Sequence, residues 1–399
     1  DDAGNYSLKY EKGIVPALES KHSIYATDIN CDGAADLIVR GGYTSGDYCM
    51  LVSESSENGI TPLVRQSEIE LISEEDTWSR PYLVDFDGDG TVEILNMYDN
   101  NTGNLYTIDH NGKLVKSNGF DFGTSYYCMG DFNADGKTDV ITMGTTSKPD
   151  TGWEMNFSTG ITGENEKSFV SEAITSLFNP KNKQIFVADI NGDGFDDLYV
   201  VGEKTNKNQT CPVNIYINDR TGKTFSHYTG SNTVGTDKAN FRIADFNGDG
   251  KADFICYPNS KGSSVPISLH VSTNTGDNAL TSVTDGLGNH TNIKYAKLTD
   301  GQVFRRGTLK SYPFVSAICP WPVVKEMSVS DGIGGMSTTG YSYSNLITHK
   351  RGRGILCFEE MSANDYNTGI ITTKGYEILK ETATPVLKYS KTMLDGKIL

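Results

Sequence analysis

Five short segments of this chain bring acids together at a fixed spacing. They are Asp28-Ile-Asn-Cys-Asp-Gly-Ala-Ala-Asp36, Asp85-Phe-Asp-Gly-Asp-Gly-Thr-Val-Glu93, Asp131-Phe-Asn-Ala-Asp-Gly-Lys-Thr-Asp139, Asp189-Ile-Asn-Gly-Asp-Gly-Phe-Asp-Asp197 and Asp245-Phe-Asn-Gly-Asp-Gly-Lys-Ala-Asp253. All obey D-x-[DN]-x-D-G-x-x-[DE], and successive first aspartates stand 57, 46, 58 and 56 residues apart. The spacing has a chemical cause. A hard cation such as Ca²⁺ takes six to eight oxygens at ~2.3–2.6 Å. In a tight loop, positions 1, 3 and 5 turn their oxygens inward, and Gly at position 6 permits the sharp bend. The carbonyl of position 7 can then face the ion, and the acid at position 9 closes the cage. Each loop holds three or four acidic candidates, sixteen in all. Without a cation, that many converging carboxylates would repel strongly.

An EF-hand begins the same way but needs Glu at position 12 between two helices. Position 12 here is Val39, Asn96, Thr142, Val200 and Cys256, none of which can play that part. The flanks are strand-like instead: Ile-Phe-Val-Ala precedes Asp189, and Leu198-Tyr-Val-Val follows its loop. Each loop therefore reads as the turn of a β-hairpin. Further strand-like runs follow, such as Val213-Asn-Ile-Tyr-Ile-Asn and Thr224-Phe-Ser-His-Tyr after the fourth loop, and Val265–Val271 and Ala279–Val283 after the fifth. About four short strands per repeat of this length is the size of a β-propeller blade. Only Glu68–Glu75 and Glu172–Phe178 read as brief helices.

Composition agrees with that organisation. The chain has 399 residues, room for two or three domains at ~150 residues each. Its net charge of −16 makes it a poor nucleic-acid binder, since phosphate recognition needs clustered Lys and Arg. Five bound Ca²⁺ would bring that charge to about −6, so ion sites explain much of the acidity. No apolar run approaches ~18 residues, so no transmembrane segment is expected. No signal peptide is visible, and the polar start at Asp1 suits a processed chain. The seven cysteines have no metal-like spacing, and buried free thiols or one incidental disulfide is the expectation.

The five loops resemble FG-GAP or VCBS repeats, the calcium-loop blades of integrin-type propellers, over about residues 20–275. The resemblance implies Ca²⁺ at about five sites. The ligands it implies are Asp28, Asn30, Asp32 and Asp36; Asp85, Asp87, Asp89 and Glu93; Asp131, Asn133, Asp135 and Asp139; Asp189, Asn191, Asp193 and Asp197; and Asp245, Asn247, Asp249 and Asp253. Glu93 and Cys31 depart most from the usual pattern. Five metal-loop blades are visible, and six or seven in total are compatible with the sequence. Residues 1–20 look like closing strands of another blade. Weak aspartate loops suit extracellular calcium, at ~10⁻⁴–10⁻³ M affinity, so an extracellular or cell-surface location is expected.

Past residue 280 the loops stop and the β signal continues. Thr284-Asp-Gly-Leu-Gly-Asn-His-Thr-Asn-Ile-Lys-Tyr295 is echoed by Ser330-Asp-Gly-Ile-Gly-Gly-Met-Ser-Thr-Thr-Gly-Tyr-Ser-Tyr343, with Asp285 and Asp331 offset by 46. Each is a glycine turn followed by an alternating strand. Lys350-Arg-Gly-Arg-Gly-Ile-Leu-Cys-Phe358 and Gly369-Ile-Ile-Thr-Thr-Lys-Gly-Tyr376 follow. This order resembles the region after the FG-GAP repeats of SpvB-type proteins and toxin-complex B subunits, which leads into Rhs/YD-repeat strands. Cys357 stands where that family usually has Gly. The resemblance implies an all-β chain: a propeller over residues 1–280 and a smaller β-rich Rhs-like domain over 281–399. It further implies a docked protein partner, or the remainder of an Rhs-type shell around a toxic polypeptide. The chain ends at Leu399, before a full shell or effector, which suits a propeller plus the first strands of a wall.

No catalytic motif accompanies this frame. HExxH, GxSxG and Walker sequences are absent, and the six histidines are scattered. Gly332-Ile-Gly-Gly and Arg351-Gly-Arg-Gly sit in β-turn contexts rather than as phosphate cradles. Trp78, Trp153 and Trp321 suit packing between blades or at the domain junction better than sugar stacking. The expected function is therefore a non-enzymatic, calcium-binding module that docks a partner and supports a shell. The alternative is a propeller acting on glycans, as a lectin or a calcium-dependent polysaccharide lyase.

Overall fold

The computed structural model describes residues 23–29, 35–40, 48–52, 55–56, 59–60, 64–69, 79–98, 101–108, 114–145, 147–161, 167–202, 210–235, 239–258, 266–273, 279–308, 310–311, 313–349 and 353–399. The expected closing strands in residues 1–20 lie outside them. Among the described residues every regular element is a strand, and no helix is long and apolar enough to cross a membrane. The chain divides into two compact units, residues 1–125 with 159–168, and residues 126–158 with 169–399.

The first unit holds two four-stranded antiparallel sheets whose strands neighbour one another in chain order. One comprises Ser23–Thr27, Asp36–Arg40, Tyr48–Val52 and Val64–Ile69. The other comprises Ser79–Val84, Glu93–Tyr98, Thr102–Ile108 and Leu114–Asp121. Ile94-Leu-Asn-Met-Tyr is nearly continuous apolar sequence, and Glu93–Tyr98 is buried at every position, as a strand covered on both faces must be.

The second unit begins with two more such sheets. Tyr127–Gly130, Asp139–Thr142, Trp153–Ser158 and Phe169–Ile174 form one; Gln184–Ala188, Asp197–Val201, Thr210–Asn218 and Phe225–Gly235 form the next. Their second strands are again wholly buried, while Phe169–Ile174 is mostly exposed. The sheets pack face to face through Trp153, Phe132, Ile141 and Met155 of one against Leu198, Val200 and Tyr216 of the other. Trp153 is thus a packing residue between blades, edge-on to Phe178 at 4.9 Å. Glu172–Phe178 is not the brief helix its sequence suggested, because Glu172–Ile174 completes a strand paired with Trp153–Met155. In the other suggested helix, Glu68–Glu75, Glu68 and Ile69 are strand and the rest lies outside the described residues.

These are the blades of an all-β propeller arrangement, but their number differs from the sequence expectation. Four complete four-stranded blades are present among the described residues, not five, six or seven. The fifth loop opens a sheet of three strands only, Ala239–Ala244, Asp253–Pro258 and Ser268–His270. Ala279–Val283 was expected to add the fourth. Ser282–Thr284 instead pairs with His290–Lys297 across the tight turn at Asp285–Asn289. Closing so short a loop costs less chain entropy than returning across residues 271–281 to the blade.

Ser282–Thr284 begins an eleven-stranded sheet. Its main path continues through His290–Lys297, Pro322–Ser330, Met336–His349, Gly354–Asp365, Ile371–Leu379, Thr384–Leu394 and Lys397–Ile398, all antiparallel. Phe304–Arg305 and Phe314–Ala317 also pair with Met336–His349. Leu298, Val303, Phe304, Tyr343 and Leu346 form a small core against it.

Candidate metal centres

Each loop bridges the first and second strands of its sheet, so both ends are pinned by ladder hydrogen bonds. The first aspartate organises the bend. Asp189 takes the Gly192 and Asp193 N–H groups on Oδ1 (2.7 and 3.1 Å) and the Gly194 N–H on Oδ2 (2.8 Å). Asp245 repeats this with Gly248, Asp249 and Gly250, Asp85 with Gly88 and Gly90, and Asp131 with Asp135 and Gly136. The side chain at position 3 accepts the N–H of position 5, and position 5 accepts that of position 7, as in Asn191–Asp193–Phe195. Positions 4 and 6 are left-handed: φ is 77° and 82° at Gly88 and Gly90, and 78° and 88° at Gly192 and Gly194. The sequence rule of Gly at position 6 follows directly.

In the second loop, oxygens of Asp85, Asp87 and Asp89 all lie within 4.8 Å of one another. Oxygens bound to one Ca²⁺ lie at most ~5 Å apart, so the group has the span of a single cation. The other loops carry Asn at position 3, giving two carboxylates and an amide carbonyl. All of these donors are oxygen, which suits a hard cation rather than zinc or copper. Loops three and four also hold a protein cation: Lys137 reaches Asp135 at 2.9 Å and Arg220 reaches Asp193 at 3.0 Å. In the first loop Asp28 and Asp36 are described, whereas Asn30, Cys31 and Asp32 lie outside the described residues.

The acid at position 9 has a second task that spacing did not reveal. Asp36, Glu93, Asp139, Asp197 and Asp253 are all buried. Each takes the N–H of loop position 2: Ile29, Phe86, Phe132, Ile190 and Phe246, at 2.7–3.2 Å. In the last three loops the other oxygen takes an N–H at or just past the end of the third strand: Ser158, Asn218 and Ser272, at 2.9, 2.7 and 2.9 Å. The closing acid therefore staples loop to sheet. The donors are backbone N–H groups, which carry no residue-type signal, so the sequence could not have shown these partners. Burial, with the neighbouring loop carboxylates adding to it, pushes Glu93, Asp139 and Asp197 up to about 7.

Within the second unit the loops also touch in series. Asp196 takes the Asp131 N–H on its carboxylate at 2.8 Å and donates its own N–H to the Asp131 carbonyl at 3.0 Å. Ala252, the equivalent residue of the next loop, donates to the Asp189 carbonyl at 2.8 Å. Asn218 Nδ2 and Ser272 Oγ donate to the carbonyls of Phe132 and Ile190, both at 2.8 Å. The fifth loop meets the large sheet instead. Thr299 Oγ1 donates to the Gly248 carbonyl at 2.5 Å, and a Cβ on Gly250 would lie 3.3 Å from Pro320.

The large sheet carries an open cleft of about 470 Å³ lined by Arg305, Glu359, Glu360, Glu377, Lys388 and Tyr389, among others. Its acids are engaged: Glu359 by Asn345, Glu360 by Tyr389 and Glu377 by Lys388. His270 packs against Phe254, and Trp321 is half-exposed.

The candidate loops thus sit at the first turn of propeller-like blades. Residues 85–142 match the model of an FG-GAP-like repeat. Residues 220–381 match that of the insecticide toxin TcdB middle/N-terminal region, so that stretch is similar to a toxin-complex protein. No curated protein matches the chain. Among solved structures, it is similar to chains in the crystal structures of TcdB2-TccC3-Cdc42 (16% identity, TM-score 0.46, 88% of this chain and 20% of that one) and TcdB2-TccC3-TEV (15%, 0.44, 90% and 20%). It therefore spans about a fifth of those chains. The exotype rhamnogalacturonan lyase YesX is similar at 11% identity and a TM-score of 0.28, covering 94% of this chain and 83% of that one.

Proposed function

We propose that this chain is a non-enzymatic, calcium-stabilised propeller within a larger, toxin-complex-like protein that is secreted or held at the cell surface. Residues 1–280 form the propeller that docks a protein partner. Residues 281–399 begin the β wall of an Rhs-type shell. The observation that carries the reading is the convergence of Asp85, Asp87 and Asp89 on a space of one cation's span, in a segment that matches an FG-GAP-like repeat. The match of residues 220–381 to the toxin region supports the structural rather than catalytic role.

Positions 1, 3 and 5 of each loop would hold the ion, with Glu93, Asp139, Asp197 and their counterparts fixing the loop to its blade. Calcium would neutralise carboxylates that otherwise repel, and so stiffen the hairpin ends of the sheets. The test is thermal melting in millimolar calcium against EDTA, with elemental analysis of the dialysed protein. A clear rise in Tm with bound calcium is expected, and a smaller rise with magnesium, which prefers a rigid octahedron. An unchanged melting curve and no bound metal would overturn the assignment.

A further inference from the structure

Three hairpin turns of the large sheet emerge along one edge. They are residues 285–289, 331–335 and 365–369. Hydrogen bonds tie them side by side: His290 N–H to Ser330 Oγ at 2.8 Å, Thr338 N–H to Asn367 Oδ1 at 2.9 Å, and Tyr366 N–H to the Thr338 carbonyl at 2.9 Å. Adjacent strands lie ~4.8 Å apart, which places neighbouring turns about 10 Å apart.

The first two turns are built alike, and the third, one residue longer, also starts from an aspartate. Asp285 Oδ1 takes the N–H groups of Leu287 and Asn289, Asp331 Oδ1 those of Ile333 and Gly335, and Asp365 Oδ1 those of Asn367 and Thr368. The aspartate and the glycines therefore account for the bend. The large side chains at the tips do not. Leu287 is 90% exposed and Ile333 91%, whereas Tyr366 lies back over the sheet with its ring against Gly340. A lone exposed leucine is ordinary, but two large apolar tips at the same step after the aspartate in adjacent turns form a patterned surface.

Charge indicates what covers it. Each turn contributes one aspartate and none contains Lys or Arg. Hydrogen bonds from Asn289 to Asp285, from the Ile333 backbone to Asp331 and from Thr368 to Asp365 hold these carboxyls below the usual range, so they stay ionised. A second copy of the edge would bring like charge against like, and an anionic membrane would repel it. We propose that the pair Leu287–Ile333 is a docking edge for a protein segment whose apolar side chains are flanked by Lys and Arg. This surface is separate from the metal loops and does not depend on their loading.

A random peptide library panned against the calcium-loaded full chain tests it. The comparison is the double variant Leu287→Asp/Ile333→Asp, whose exposed sites should leave the melting temperature and near-UV spectrum unchanged. Enriched peptides should combine large apolar residues with Lys or Arg, weaken in high salt, and bind the variant about ten-fold or more weakly. The milder Asp285→Asn/Asp331→Asn variant keeps the turn acceptor but loses charge, and should weaken binding a few-fold. Peptides that bind wild type and variant equally, or lack basic residues, would overturn the proposal. So would wild-type binding to phosphatidylcholine–phosphatidylserine vesicles, or self-association in sedimentation velocity, that the double variant abolishes.

Discussion

In the blade loop Asp189–Asp197 and in the turn Asp285–Asn289, an aspartate takes backbone N–H groups onto its carboxylate and glycines with positive φ complete the bend. The two differ in what fills the alternate positions. Asn191 and Asp193 follow Asp189 at steps of two, so oxygens gather on one side of the backbone. In the turn the residue two steps on is Leu287, and an apolar side chain stands in solvent instead. An Asp–Gly bend alone is therefore only a bend. The run of acids at positions 1, 3 and 5, fixed to a buried acid at position 9, makes it a candidate cation cage.

The largest expected effect separates these regions. A ligand that binds only the folded state adds about 2.7 kcal/mol per site at 100 Kd. Calcium should therefore slow hydrogen exchange strongly in residues 79–98, 126–145, 183–202 and 239–258, and hardly change it in the turns at 285–289 and 331–335. Equal protection in both regions would mean that calcium acts on the whole chain rather than through the loops.

Within one loop, positions 5 and 9 should behave differently. Asp197→Ala strands the buried N–H groups of Ile190 and Asn218, each costing about 1–3 kcal/mol. A loss of about 2–6 kcal/mol is expected even in EDTA. Asp193→Ala removes a cage oxygen and the partner of Arg220. It should release about one calcium per chain, at a cost of about 1 kcal/mol without metal. Denaturant unfolding in EDTA, with calcium counted by elemental analysis, checks both. Similar losses for the two variants would collapse the distinction between staple and cage.

Much of this contrast was legible in the residues. The alternating acids and the Gly at position 6 fix the loop's geometry locally, so its hairpin setting could be read without the fold. Blade count could not. Residues 282–284 are strand-forming in either sheet, and the five-residue turn beside them decides which sheet they join. Glu172–Ile174 likewise becomes strand because Trp153–Met155 lies alongside, a partner distant in sequence. The staple role of position 9 was hidden for the same reason, since Asn218 and Ser272 come from another strand or just beyond its end.

Acidity should tune the loops and leave the turns alone. Glu93, Asp139 and Asp197 sit at about 7 in the folded blades, against ~4 in an unfolded chain. The folded state thus binds more protons across that interval. Metal-free stability is greatest on the acid side and is lost as pH rises through 7. In EDTA, Tm should rise from pH 8 to pH 5. Calcium prefers the ionised cage, so its affinity should fall over the same range. A metal-free Tm that falls on acidification would show that these carboxyls are not held protonated by burial.

The smallest effect concerns position 4 of the third loop, where Ala134 adopts φ 57° and the equivalents Gly88, Gly192 and Gly248 have φ 77°, 78° and 76°. A left-handed conformation costs a residue with a Cβ roughly 1–2 kcal/mol. Glycine removes that strain but gains freedom in the unfolded chain, which returns about 0.5–1 kcal/mol. Ala134→Gly should therefore stabilise the blade by a net of up to about 1 kcal/mol, with the same calcium count. The reciprocal change, Gly192→Ala, should destabilise its loop by more, because the added Cβ would also sit 3.1 Å from the Lys251 side chain. Paired melts of the two variants in EDTA give the sign of each. If Ala134→Gly were the destabilising one, position 4 would tolerate a side chain, and glycine there would serve some end other than the shape of the cage.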